Sequence, residues 1–395
     1  MSKTPKFSII VPTKERCNTL KHCIRTVLAQ SLSDFELIIM DNSSEDETPE
    51  VVQSFTDNRI RYFRSHERLS MRDNWENCLG HVNGEWLIFI GDDDGLIPDS
   101  LLLAHKIQEN FPDINAIKWP SGFNYWWPNV LVEHNRNMLY VRGGNRLKKF
   151  DSHTVLKNFF NNVADEHTLP MVYHGFVKTE FVRSIKKKHD PYFKAVGVDA
   201  YSGAINAYYL QDFLFTELPL SIVGVSGRSN GTATLFSGEK GKEIRQEWAN
   251  EYKVDVITEA YHKDIQNLSA FHSQLTVMDC CLQLIDECSL GDEFEVNKLG
   301  VLQAMTYSLI FDPESYDIKV RNILSIAKDW GIREDLVRIP ERVVLERTKP
   351  GIAMDEKGNF TGNIVIDGNL AGIENVYDAS RIINSMTTKR LQYES

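Results

Sequence analysis

The chain has 395 residues, 42% hydrophobic and 25% charged, with a formal net charge of -11. These values suit a soluble globular protein with a large core and two domains, not a disordered or fibrous chain. The acidic balance argues against binding along a nucleic-acid backbone but is compatible with a local basic pocket for one nucleotide.

Six cysteines, at 17, 23, 78, 280, 281 and 288, form no Cys-x-x-Cys pair. Neither a zinc site nor a disulfide framework is expected, and a reducing cytoplasm fits. The apolar run before Pro12 is too short for a signal-peptide core, and nothing reaches the roughly 18 apolar residues of a membrane span. Peripheral membrane contact and self-association stay open.

Phe7 to Val11 reads as a buried strand, followed by the loop Pro12-Thr13-Lys14-Glu15-Arg16. Leu20, Cys23, Ile24, Val27 and Leu28 then recur at helical spacing. Phe35 to Met40 is a second strand, ending in Asp41-Asn42-Ser43-Ser44, and Thr48-Pro49 reads as an N-cap and first helical residue. Ile60 to Phe63 is a short third strand. Ser70-Met71-Arg72-Asp73 resembles a capping box with Asp in place of Glu. It opens a helix carrying Trp75, Cys78 and Leu79, and Trp75 reads as core before stacking platform.

Trp86 to Ile90 is a fourth apolar run that stops in Gly91-Asp92-Asp93-Asp94-Gly95. The alternation of strands and helices predicts a parallel sheet with right-handed crossovers. Ligands of such sheets sit beyond the carboxyl ends of the strands, where the three aspartates fall. Adjacent carboxylates repel, and a hard divalent ion such as Mg2+ or Mn2+ reconciles them. A lone Asp-Asp-Asp is more often a solvated acidic turn. An EF-hand is excluded, because counting from Asp92 places Leu103 where its closing Glu belongs. A dinucleotide-binding Rossmann domain needs Gly-x-Gly-x-x-Gly after the first strand, and residues 12–16 contain no glycine.

Ser8-Ile9-Ile10-Val11-Pro12-Thr13, Asp41-Asn42-Ser43-Ser44-Glu45-Asp46, Asn74-Trp75 and Gly84-Glu85-Trp86 into Gly91-Asp92-Asp93-Asp94 together resemble a family 2 glycosyltransferase of the GT-A fold. The resemblance implies an α/β fold, a mostly parallel sheet flanked by helices. It places a glycosyltransferase domain at 1–237, with a donor half 1–112 and an acceptor half 113–237. It implies a nucleotide-diphosphate sugar donor, a UDP-sugar favoured, a Mn2+ or Mg2+ cofactor, inversion at the anomeric carbon, and a glycan or lipid-linked glycan acceptor. Pro12, Thr13, Lys14 and Arg16 would border the nucleoside. Asp41 and Asn42 would contact the base, Asn42 standing where many relatives carry a second Asp. Arg72 would approach base or phosphate, and Asp92 the ribose. Asp93 would be the main metal ligand, supported by Asp94.

Asn115 to Trp119 reads as a further strand. Phe123 to Pro128 is rich in aromatic rings, more often core or hairpin than a sugar platform. Thr168 to Val177 resembles the acceptor-side strand, where His174 is either an acceptor contact or a structural histidine. Asp199, at the start of a helical pattern, is a cap by position alone and the catalytic base by resemblance. After a strand at Leu220 to Val225, Arg228 sits between Gly227 and Gly231, as a diphosphate ligand or in a plain flexible loop.

Residues 238–395 read as a mainly helical region of unassigned role, with helices at 243–262, 270–288, 301–311, 320–330 and 375–386 and a strand pair at 359–366. Two other functions stay open. A sugar nucleotidyltransferase would need a glycine-rich basic loop after the first strand. A non-catalytic sugar-nucleotide or glycan-binding module would keep the fold without turnover.

Overall fold

The computed structural model describes residues 4–233, 239–252, 260–266, 268, 272–354, 360–387 and 391–394. The first apolar runs become strands closed on both faces. They alternate with helices as β1 (Phe7–Thr13), α1 (Cys17–Leu28), β2 (Phe35–Asp41), α2 (Thr48–Gln53), β3 (Ile60–Arg64), α3 (Met71–Leu79) and β4 (Trp86–Phe89). These strands lie in the order β4-β1-β2-β3, all parallel. Each crossover is a helix, as parallel pairing requires. Thr48 is already helical and Glu47 is the N-cap, one residue before the position expected. Ser70 does cap α3 by accepting from Asp73 N, but the return bond differs. The Asp73 carboxylate accepts from the Ser70 hydroxyl at 2.8 Å, and not from its backbone.

The chain continues through β5 (Gly95–Leu96), α4 (Ser100–Asn110), β6 (Ala116–Lys118), β7 (Phe123–Trp126), β8 (Met138–Arg142), β9 (Arg146–Asp151) and α5 (Ser152–Asn161). Next come β10 (Gly175–Lys178), α6 (Thr179–Lys186), α7 (Val198–Tyr209), β11 (Asp212–Thr216) and β12 (Ser221–Val225). The aromatic run at 123–126 is a hairpin strand: β7 pairs antiparallel with β8, and Phe123 and Tyr125 point into a buried cluster. Only the end of the stretch 168–177 is a strand. Before it, Tyr173 bridges Phe89 and His174 turns at φ +47°, a left-handed conformation that ends regular pairing.

The remaining elements are α8 (Asn230–Ala233), α9 (Glu239–Asn250), α10 (Ser273–Cys288), α11 (Lys298–Thr306), α12 (Ser308–Phe311), α13 (Tyr316–Asp329), β13 (Gly351–Met354), β14 (Phe360–Asp367), α14 (Gly368–Ala371), α15 (Val376–Met386) and β15 (Gln392–Glu394). Parts of the expected helices at 253–259 and 270–271, and Asn359 of the expected strand pair, lie outside the described residues.

Among the described residues, one sheet has nine strands in the order β15-β9-β11-β6-β10-β4-β1-β2-β3. A second has six, β13-β14-β8-β7-β12-β5. Helices flank the large sheet: α1 and α4 contribute to the core cluster on one face, while α3, α5, α7 and the helices α10, α11 and α13 contribute to the cluster on the other. The late segment joins both sheets. β14 pairs antiparallel with β8, β15 pairs parallel with β9, and Val376, Ala379 and Ile383 of α15 fill the core of the smaller sheet.

Trp75 lies in the large core, stacked on Phe89 at 4.6 Å between centroids and met edge-on by Phe193 at 5.6 Å. Trp75→Ala is expected to cost about 3–5 kcal/mol of unfolding free energy, the usual range for emptying a large aromatic site. Denaturant titration of the purified variant measures it.

Candidate active site

The three aspartates after β4 are not solvated. Asp92, Asp93 and Asp94 are 2%, 5% and 0% exposed, which rules out the plain acidic turn. Buried carboxylates need donors or cations, and each of the three is served differently.

Asp92 is held from β1 and the loop after it. Thr13 Oγ1 donates to Oδ2 at 2.7 Å and Arg16 Nη1 to Oδ1 at 3.0 Å. Burial raises the Asp92 carboxyl, with Arg16 and Thr13 opposing. Arg16 is raised in turn by Asp92 and Asp93 against its own burial.

Asp94 is engaged by hydrogen bonds from the chain itself. Oδ2 accepts from Gly91 N at 2.6 Å and from Tyr173 Oη at 2.8 Å, and Oδ1 accepts from Gly224 N at 2.7 Å. His174 Nε2 lies 3.0 Å from Oδ2, off the line of a good hydrogen bond. Trp119 Nε1 donates to Ser221 Oγ at 2.8 Å, and Ser221 Oγ lies 2.7 Å from His174 Nδ1. Burial acts to raise Asp94, but His174 and the Gly224 and Gly91 amides outweigh it and hold the carboxyl below its usual range. His174 is thereby a structural histidine, 2% exposed.

Asp93 is the least satisfied. Ser226 Oγ donates to Oδ2 at 2.6 Å and Ser226 N reaches it at 3.3 Å, while Oδ1 has Arg16 Nη1 at 3.9 Å. Burial pushes its carboxyl up to about 7, with Arg16 opposing and the neighbouring carboxylates adding to the rise. Such a group favours an added cation. Among the described residues no cluster of three or more His, Cys, Asp or Glu is arranged to hold a metal. The donor set nevertheless fits a hard divalent ion of the kind held by one or two carboxylates plus substrate phosphates. Asp93 would be the protein ligand.

Asp199 is the second residue of α7. The N-cap is Gly197, so Asp199 is not the cap that its position suggested. It is partly exposed, and its charge is felt by the buried Tyr173 phenol together with those of Asp94 and Asp93. Tyr173 itself donates to Asp94 Oδ2, in the acidic turn.

The other expected nucleotide residues are spread around this centre. Pro12 pairs with Met40 across β1 and β2. Asp41 is fully buried, accepting from Ser44 N at 2.9 Å and Tyr62 Oη at 2.6 Å. Asn42 uses its amide on the backbone of Leu69, accepting from N at 2.9 Å and donating to O at 2.8 Å. It therefore pins the 65–70 loop, and its amide chemistry is spent on the chain itself. Lys14 pairs with Glu251. Arg72 donates to Lys194 O at 3.2 Å, with its guanidinium 6.0 Å from the Tyr252 ring centroid. Arg228 Nη1 donates to Glu15 O at 3.2 Å, and its own carbonyl accepts from Arg16.

Ser226, Tyr173 and Lys118 were missed as site residues. Ser226 and Tyr173 carry no local signal. Lys118 does, as a lone cation inside the apolar run 115–119. It is 2% exposed and its Nζ donates to the carbonyls of Tyr173 at 3.3 Å and His174 at 3.1 Å.

Residues 8–168 match the family model described as Glycosyl transferase family 2. This part of the chain is a family 2 glycosyltransferase region. Over 159 residues the chain is 33% identical to the GalNAc(5)-diNAcBac-PP-undecaprenol beta-1,3-glucosyltransferase of Campylobacter jejuni, covering 39% of this chain and 47% of that relative. Over 113 residues it is 34% identical to a PGL/p-HBAD biosynthesis glycosyltransferase of Mycobacterium bovis, covering 27% of this chain and 44% of the relative. The matched stretch thus spans less than half the length of either relative. Among solved structures, S. aureus TarS superposes with a TM-score of 0.43 at 12% identity, covering 82% of this chain and 55% of that one. The family 2 region contains both the acidic turn and Lys118, whereas Tyr173, Asp199 and Ser226 come from beyond it.

Burial lowers Lys118 from the usual lysine value to about 7, with Asp199 opposing. The unfolded chain then binds more protons than the native state between about pH 7 and the unperturbed lysine value near 10.4. Native stability is expected to rise with pH across that window and to be flat in this respect below it. Lys118→Met should flatten the rise in a melting series from pH 7 to 10, and an unchanged slope would show that Lys118 does not carry it.

Proposed function

We propose that the protein transfers a glycosyl group from a nucleotide-diphosphate sugar, a UDP-sugar favoured, to a hydroxyl of a glycan or lipid-linked glycan, with inversion. The observation that carries this reading is the buried, under-satisfied Asp93 carboxylate near Tyr173, whose phenol feels the charges of both Asp93 and Asp199. The family match supports the reaction class, and the name of the C. jejuni relative suggests a lipid-linked acceptor.

Asp199 removes the proton from the acceptor hydroxyl as its oxygen attacks the anomeric carbon. Attack opposite the leaving group inverts the centre in one step, so no covalent enzyme intermediate is needed. A Mn2+ or Mg2+ ion held by Asp93 would supply positive charge to the departing diphosphate. Asp92 and Arg16 keep the turn in place beside the nucleoside, and Asp94 locks it to β12. In this reading residues 1–112 serve the donor and 113–237 the acceptor, and the nucleotide displaces Glu251 from Lys14.

Melting temperatures in UDP, GDP and other nucleoside diphosphates, with and without Mn2+, identify the base and the metal dependence, since a ligand of the native state raises apparent stability. Asp93→Asn should abolish the Mn2+-dependent part of the shift. Asp199→Asn should keep that shift while losing most transfer, about a hundredfold or more as for removal of a general base. Near-normal turnover of Asp199→Asn would defeat the base assignment. Release of pyrophosphate in place of a nucleoside diphosphate would replace transfer with sugar activation.

A further inference from the structure

The segment that delivers Asp199, residues 192–198, has no strand to hold it until α7 begins. Its backbone groups still need partners, because it is largely buried. From the donor side, Glu76 of α3 accepts from Phe193 N at 3.0 Å. Further partners come from α10. Asp279 Oδ2 accepts from Val196 N at 3.2 Å, and Cys280 Sγ donates to Gly197 O at 3.2 Å.

Asp279 is fully buried on a helix that otherwise presents apolar residues to the core. Its other oxygen accepts from His262 N at 2.7 Å and from Gln283 Nε2 at 3.3 Å. Burial raises its carboxyl and these bonds oppose the rise. A buried acid is a costly way to fill a helical core position. Hydrophobic packing alone would not select it, whereas the need to fix a loop amide would. The packing is equally close: a Cβ on Gly197 would meet Cys280 Sγ and Thr276 Cγ2, each at 3.1 Å. The helix therefore grips the backbone two and three residues before Asp199 by hydrogen bond, thiol and contact.

We propose that Asp279 is a positioning residue for Asp199, and that α10, in the region to which the sequence assigned no role, serves to set the base's direction. This rests on the reading of Asp199 as the base. The carboxylate touches no substrate. It acts through the Val196 amide and the Gly197 turn to fix the start of α7.

Asp279→Asn keeps the shape but replaces an accepting oxygen with a donor. Amide hydrogen exchange in the peptide containing Val196 should speed up by about tenfold or more, a local opening without global unfolding. With the donor identified by the nucleotide screen, kcat should fall by about tenfold or more while donor KM and nucleoside-diphosphate binding stay within roughly twofold, the pattern of an interaction that acts in the transition state. A merely structural role would lower melting temperature and donor binding together with kcat. Unchanged exchange, or faster exchange with unchanged kcat, overturns the inference. If Asp279→Asn does not melt cooperatively, Gly197→Ala tests the same contact from the loop side, and normal kcat there overturns it. An inactive Asp199→Asn beside a fully active Asp279→Asn would sink this inference alone. An active Asp199→Asn would sink the base reading.

Discussion

Three successive carboxylates are withdrawn from water in one turn, and much of the surrounding structure is a response to that cost. Desolvating a carboxylate without compensation costs several kcal/mol. The chain meets it with donors from every side: Thr13 and Arg16 from the first strand and its loop, Tyr173 and His174 from the stretch before β10, and Gly224 and Ser226 from β12 and beyond. The division is uneven. Asp94 is saturated, Asp92 is tied to an arginine, and Asp93 has an oxygen whose one ion-pair partner among the described residues is Arg16 at 3.9 Å. The inequality separates a structural acid from one with capacity to spare for a cation.

The same constraint explains why β12 carries glycine at 224. Its amide must reach Asp94, and a Cβ there would lie 1.7 Å from the Asp93 carbonyl oxygen. Chemistry in the first hundred residues therefore depends on backbone more than a hundred residues later.

That dependence also marks what the sequence could and could not disclose. Trp86 to Ile90 is a continuous apolar run, and Phe7 to Val11 and Phe35 to Met40 are apolar but for Ser8 and Glu36, so their burial and parallel pairing were legible. The acidic turn was legible as a place, because Gly91 and Gly95 bracket it after a strand. The separate duties of its aspartates were not, because the partners that assign them lie far away in sequence and leave no local trace. His174 read either as an acceptor contact or as a structural histidine for a related reason. It sits in a stretch composed like a strand, but its left-handed backbone and its bond to Ser221 follow from tertiary contacts. Asn42 reads as a base contact until the Leu69 backbone claims both ends of its amide. Lys118 could have been noticed, since a cation within an apolar strand must find buried acceptors.

The late strands bear on how the molecule assembles. β14 completes the edge beside β8, and β15 that beside β9, while α15 covers Leu139 and Tyr125. During synthesis the parallel half can collapse early, since its strand pairings join residues at most 79 apart. The β8 and β9 margins must wait for residues 360–394 to emerge. Until then they are open hydrogen-bonding edges of the kind that invite intermolecular pairing. Pairings across more than two hundred residues also carry a high loop-closure cost. The nascent chain therefore passes through a stage in which its parallel half is formed and its margins are still adhesive.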